Sequence, residues 1–204
     1  MEIDMKRAII FLAIAQIIAS QTVLTQGTRE APPSCFSVSV HPTGIALKPT
    51  GGFLFLSRGA AAQYEFAGHV VSLRYFDATE YQILTPSYPK ESLRDVSVLI
   101  GFVKRESSAL SSFSAGIGVV RGIAKGEFKN HAYAGDSFQW FRRIIADYYE
   151  EKTVAALGLA LEGQYFWIPS KNVGVGLYGF ANINKEASFV GVLFSFRVSL
   201  SAGE

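Results

Sequence analysis

The chain has 204 residues, of which 49% are hydrophobic and 18% charged, and a formal net charge of +2. That content supports one sizeable core and excludes intrinsic disorder, while the charged fraction falls below the roughly 25% usual in soluble domains. No run of Lys and Arg is long enough to track a phosphate backbone, which argues against a nucleic-acid partner.

Residues 1–20 read as a secretory signal: Lys6 and Arg7, then the apolar run Ala8 to Ala19, then the small residues Ala19 and Ser20. The run is about a dozen residues, short of the roughly 20 that a membrane-spanning helix needs, so cleavage near Ala19 or Ser20 is expected. A buried N-terminal helix is the alternative. Residues 21–35 are polar, with Gly27, Pro32 and Pro33, and read as a flexible lead-in. Cys35 is the only cysteine, which excludes an intrachain disulfide and a CxxC site. Pro32, Pro33 and Ser34 do not form a lipoprotein box before it, so Cys35 reads as a small apolar residue at the threshold of a single domain over 36–204.

From Phe36 onward hydrophobicity alternates with the period of two that marks β-strands. The strands expected in chain order are Phe36 to Leu47, Phe53 to Ser57, Tyr64 to Phe76 with a bulge near Gly68, and Arg94 to Lys104. Phe113 to Gly122, Thr153 to Trp167, Val173 to Ile183 and Ser188 to Leu200 follow, making about eight. The last is the clearest, with Val190, Val192, Phe194, Phe196, Val198 and Leu200 on one face. Thr153 to Trp167 repeats the pattern through Leu157, Leu159, Leu161, Tyr165 and Trp167. Pro169 to Asn172 reads as a tight turn. Phe138 to Glu151 fits either a helical stripe through Phe138, Phe141, Ile145 and Tyr148 or an extension of the following strand, and the extended reading is preferred.

The second face of each strand decides the environment. It carries mainly Gly, Ala, Ser and isolated charges, residues that suit a narrow enclosed lumen better than a surface in water. The fold class expected is therefore all-β: a closed antiparallel up-and-down transmembrane β-barrel of about eight strands, the apolar face meeting lipid. If the last strand ends in the periplasm, the connections at Ser57 to Ala61, Arg105 to Ser111 and Pro169 to Asn172 fall on that rim. Asp77 to Leu93 and Ile123 to Lys152 then form the longer external segments. Tyr75 and Phe76 at one end, and Tyr165, Phe166 and Trp167 at the other, are expected to form interfacial girdles.

These features resemble the small outer-membrane β-barrel proteins, the eight-stranded class built like the OmpA and OmpX barrels, over roughly Phe36 to Leu200. The most specific element is Gly191, Phe194 and Phe196 in Gly-x-x-Phe-x-Phe, which resembles the C-terminal strand signal read by the barrel-assembly machinery. The resemblance implies an outer-membrane location, contact with outer-membrane lipids and passage through that machinery; function within the class is varied. The reading adopted is a structural or surface-interaction protein without an open pore. A soluble periplasmic lipocalin-like binding barrel is the first alternative and a lipid-modifying enzyme of the outer membrane the second.

Glu162 and Arg197 lie on the small-residue faces of their strands at similar heights and are expected to pair inside the lumen, because isolated charges there would be costly. Arg74, Gln164 and Ser195 are expected to share that lumen, with Arg74 too near the external rim to be Glu162's main partner. Trp140, Phe141, Arg142, Arg143, Tyr148 and Tyr149 are candidates for an external contact surface, since aromatics and Arg favour interfaces. His131 with Asp136 and Ser137 supplies the residue types of a hydrolase, and a solvated loop explains them equally. The histidines His41, His69 and His131 show no metal spacing, and no cofactor is expected.

Overall fold

Strand after strand places large apolar side chains on one side of the backbone and small or polar ones on the other, and such strips bury the second side only by curling into a ring. A computed structural model describes residues 34–49, 53–82, 86–134, 143–170 and 172–201. The strands are β1 (Cys35–Lys48), β2 (Phe53–Phe66), β3 (His69–Glu80), the two-residue β4 (Ser87–Tyr88), and β5 (Ser92–Arg105). They continue with β6 (Ala109–Ala134), β7 (Arg143–Ser170), β8 (Val173–Ile183) and β9 (Phe189–Ser201). Apart from β4, each strand pairs antiparallel with its neighbours, and β1 returns to pair with β9, so eight strands close the barrel. Closure leaves the wall without an exposed edge. Pro42, which has no amide hydrogen, sits in a bulge of β1 where the register with both neighbours shifts.

The outside is apolar. Leu157 is 69% exposed and Ile100 62%, and Val38, Val40, Val96, Val98, Val192 and Phe194 are likewise exposed. The inside holds Ser39, Ser72, Arg74, Asp95, Glu162, Ser195 and Arg197, all buried. A barrel in water has the reverse arrangement, so the soluble lipocalin-like alternative gives way to a wall that faces hydrocarbon.

Several boundaries differ from the sequence reading. Ser57 to Ala61, expected as a periplasmic connection, lies within β2; the chain turns instead at Ala67 and Gly68, whose φ values are 47° and 80°. Two residues at positive φ make the tight hairpin turn that matches strand twist. There is accordingly no bulge within one Tyr64 to Phe76 strand. The turn sets Phe66 opposite His69 and leaves Glu65 inside while His69 points out, which explains the slipped parity. Alternation also divides the expected girdles: Tyr75, Tyr165 and Trp167 face out, whereas Phe76 and Phe166 are buried inside. The described part of Ile123 to Lys152 is strand. β6 runs on to Ala134 and β7 begins at Arg143, so the extended reading of the described part of Phe138 to Glu151 holds.

That continuation gives the molecule its asymmetry. β6 loses β5 beyond Ile123, and β7 meets β8 only from Leu159, so Ala124–Ala134 and the opposing part of β7 form a two-stranded hairpin that outruns the barrel. At roughly 3.3 Å per residue this is an extension of about 35 Å along the strand. β4 lies parallel to it, Ser87 and Tyr88 pairing with Asp147 and Tyr148. Below, the rim bearing Cys35 and Ser201 is termed the terminal rim and the opposite one the hairpin rim.

If the outer face meets lipid, Phe194→Arg near the middle of β9 costs about 2 to 4 kcal/mol of unfolding free energy in a bilayer. Denaturant titration of the variant in lipid vesicles measures it, and an unchanged midpoint contradicts a lipid-facing β9.

Candidate functional site

The lumen is filled in layers, each set by inward residues at matching register. Nearest the terminal rim, Arg197 of β9 forms an ion pair with Glu65 of β2 and donates from Nη1 to Gln63 Oε1 at 3.1 Å. Glu65 also receives Arg105 at 3.1 Å from the rim itself. One level further in, the Glu162 carboxylate accepts four side-chain donors: Gln63 at 3.4 Å, Ser72 at 3.3 Å, Gln164 at 3.1 Å and the Tyr178 hydroxyl. His41 lies against the Tyr178 ring and contacts Ser195 Oγ through Nδ1 at 2.8 Å and Ser39 Oγ through Nε2 at 3.4 Å.

The next layer belongs to Arg74, which is fully buried. Its Nη2 meets Asp95 at 2.6 Å, and its Nη1 donates to the Leu161 carbonyl at 2.8 Å. Ser97 at 2.7 Å and Asn182 at 3.2 Å donate to the other Asp95 oxygen. Above this, Phe55, Phe76, Phe180, Phe189, Leu93 and Leu193 form an apolar plug, with Phe76 and Phe180 stacked at 4.1 Å. At the hairpin rim Lys48 meets Glu91 at 3.0 Å, and Lys125 meets Glu80, which also accepts Ser87 Oγ at 3.1 Å. The peptide N–H groups of Glu91 and Lys125 add bonds to Glu80 and Glu91. A polar lower lumen, an apolar middle and an ionic lid thus follow one another.

Removing a charge from water costs several kcal/mol, and each charge here has a partner or several donors to offset that loss. The direct pairing expected of Glu162 and Arg197 is nevertheless replaced. Both are buried, but Arg197 is neutralised by Glu65, and Gln63 stands between, bonding to each. Arg74, with Gln164 and Ser195, is also inside, and its ion partner is Asp95. The sequence reading missed Glu65 because the turn after it was misplaced. Asp95 sits on the buried face of β5 with Leu93, Ser97 and Leu99, a parity that could have revealed it.

Outside the barrel, His131 is paired with Asp147 at 2.6 Å across the hairpin; Asp136 and Ser137 lie outside the described residues. Tyr148 is exposed and stacks on Tyr88 at 5.7 Å, and Phe128 packs against His131 and Tyr149. Trp140, Phe141 and Arg142 lie outside the described residues. Arg143 opens β7 opposite Ala134. Ser195 and His41, in contact at 2.8 Å, are sealed inside the barrel, both fully buried, and among the described residues no carboxylate bonds to the ring.

No family model and no curated protein matches the sequence. Solved structures do match. The crystal structure of neisserial surface protein A superposes with a TM-score of 0.54 over 81% of this chain and 95% of that one, at 12% identity. The attachment invasion locus protein Ail of Yersinia pestis gives 0.51 over 82% and 99%, at 11% identity. The fold is that of a small outer-membrane β-barrel. In such a barrel Gly191 has a packing role of its own, since a Cβ there would stand 2.5 Å from the Phe180 ring, while Phe194 and Phe196 face outward and touch edge to face.

The two charge layers generate separate tests. Glu65→Gln strands Arg197 with only amide and hydroxyl partners, whereas Arg197→Gln leaves Glu65 its bond to Arg105. Loss of Glu65 should therefore cost more, up to the roughly 3 to 5 kcal/mol of a broken buried pair. The double variant should recover about 0.5 to 3 kcal/mol relative to the sum, measured by denaturation in lipid; strict additivity contradicts the pairing. Near Asp95, a Cβ on Gly118 would stand 2.3 Å from Ser97 Oγ and 2.8 Å from Asp95 Oδ1, whereas one on Gly163 meets nothing within 4 Å. Gly118→Ala should cost about 1 to 3 kcal/mol and Gly163→Ala far less, and equal effects would show that the lumen is not close-packed there.

Proposed function

We propose that this chain is a non-conducting outer-membrane protein that presents the β6–β7 hairpin outside the cell as a surface-contact element. The observation that carries the reading is the contrast between a blocked interior and a projecting exterior. Phe55, Phe76, Phe166, Tyr178, Arg74 and Arg197 fill the lumen with side chains under 2% exposed, while Tyr88, Phe128 and Tyr148 stand exposed on or beside a hairpin that runs on past the residues closing the barrel. Aromatic residues on an ordered scaffold supply contact area at low entropic cost. The connections at the terminal rim are short, as periplasmic turns are, which supports an external hairpin rim. The two solved neighbours, a surface protein and an attachment invasion locus protein, agree with a surface role.

In this reading residues 1–20 direct export and are removed, and Gly191, Phe194 and Phe196 present the final strand to the barrel-assembly machinery. Trp140, Phe141, Arg142, Arg143, Tyr148 and Tyr149 contribute to the external contact. The Glu65, Gln63, Arg197 and Glu162 chain serves to order and close the lumen.

The test joins two measurements. Reconstituted in planar bilayers, the full chain should give no stepwise conductance. Replacing 126–150 with a short turn should leave a heat-modifiable folded barrel while abolishing attachment of expressing cells to the surfaces they colonise. Stable channels in the intact chain, or undiminished attachment after the replacement, would each overturn the proposal.

A further inference from the structure

The outer wall carries one row of charges where the apolar belt ends. Arg58 of β2, Asp77 of β3, Arg94 of β5 and Arg121 of β6 are consecutive cross-strand partners, all on the outward face. The row below is Ala60, Tyr75, Val96 and Val119, the last three exposed and apolar. The next outward row toward the hairpin rim is Leu56, Thr79, Ser92 and Ile123, in which the apolar run gives way to polar residues on β3 and β5. On those strands the charges therefore stand at the level where a lipid-facing wall passes from acyl chains to headgroups.

Their sum is not balanced. Asp77 is taken by Arg58 at 3.1 Å, which leaves Arg94 and Arg121 directly opposite one another, and neither has an ion-pair partner among the described residues. Like charges at directly opposed positions on one sheet face destabilise the pair, with Cβ atoms only about 4.5 to 5.5 Å apart. At a lipid interface, with less water to screen them, the repulsion is larger. An anion seated between the two guanidinium groups removes it. Each planar fork matches phosphate with two charge-assisted hydrogen bonds, and long arginine stems let the heads reach the headgroup level.

We infer that Arg94 and Arg121 form a binding site for the phosphate of an anionic lipid headgroup in the adjoining leaflet. The site lies outside the lumen and away from the hairpin contact surface, and it rests on the transmembrane reading of the wall. The occupant is a lipid because the two arginines stand one row above exposed Tyr75, Val96 and Val119, where acyl chains can lie against the belt while the phosphate meets the arginines.

The test uses the full chain in phosphatidylcholine bilayers containing a minor fraction of phosphatidylglycerol or lipid A. Lipid retained after gentle extraction is counted by native mass spectrometry. Wild-type protein should retain the anionic lipid in preference to phosphatidylcholine, and Arg94→Gln with Arg121→Gln should weaken that preference about fivefold per arginine. Asp77→Asn should strengthen it, because Arg58 then becomes a third unpaired cation; a merely structural charge row would lose stability without that gain. Heat-modifiable migration reports that each variant is folded. Equal retention by the double variant and wild type, a decrease with Asp77→Asn, or displacement of the lipid by millimolar inorganic phosphate would overturn the inference. Failure of the wild-type chain to insert into vesicles would instead overturn the membrane reading beneath it.

Discussion

A backbone in hydrocarbon has no water to bond, so every amide and carbonyl of a spanning strand must find a partner in another strand, and this requirement drives β1 back onto β9. Closure at eight strands then fixes a lumen only wide enough for side chains. The inward positions must consequently be rationed by volume. Gly118 and Gly158 face each other across β6 and β7, and their missing side chains make room for Asn182 and for the Asp95 that neutralises Arg74. Elsewhere Phe76 reaches across the space that Gly59 vacates on the partner strand. Small residues opposite large ones are how a narrow barrel reaches close packing without distortion.

The same confinement decides how charge is handled. In a dry interior an unpaired ion is far more costly than a paired one, yet a paired one is little better than a hydrophobic substitute. The ion pairs of the lumen therefore do more for selection among arrangements than for raw stability: Arg74 finds Asp95 and the Leu161 carbonyl in only one relation of β3, β5 and β7. A slip of one residue in any strand would turn these groups toward lipid. Polar layers below and above an aromatic plug give the closed wall one register that satisfies both its faces.

The alternation that identifies a barrel wall is a local property, and the sequence carries it openly in Val190 to Leu200 and Leu157 to Trp167. Partnership across strands is not local. Whether Glu162 meets Arg197 or is separated from it by Gln63 depends on register around the ring, and register depends on each turn. The turn at Ala67 and Gly68 lacks the Asn-Gly or Asp-Gly pair that usually marks a two-residue hairpin, so β2 and β3 merged into one apparent strand with a bulge. That single error hid Glu65, and with it the true partner of Arg197. The length of β6 and β7 was obscured for a different reason. Beyond Ile123 the hairpin leaves the wall, apolar alternation ceases to be required, and charged residues such as Lys125, Glu127 and Lys129 read as loop.

A ribbon that projects free of its barrel has two strand edges, and exposed edges invite pairing with other chains. Here the register breaks between Lys125 and Phe128, between Phe128 and Asn130, and between Ala132 and Tyr133. Bulges bend and twist an edge out of line with an incoming strand. β4 occupies the β7 edge at Asp147 and Tyr148, and exposed Glu127, Lys129, Glu150 and Glu151 place charges along the remainder. Backbone addition is thus discouraged at the positions where aromatic side chains are displayed. Whatever the hairpin meets is met through Tyr88, Phe128 and Tyr148 and the charges around them rather than by extending the sheet, which lets a long exposed ribbon make contacts without becoming a template for its own aggregation.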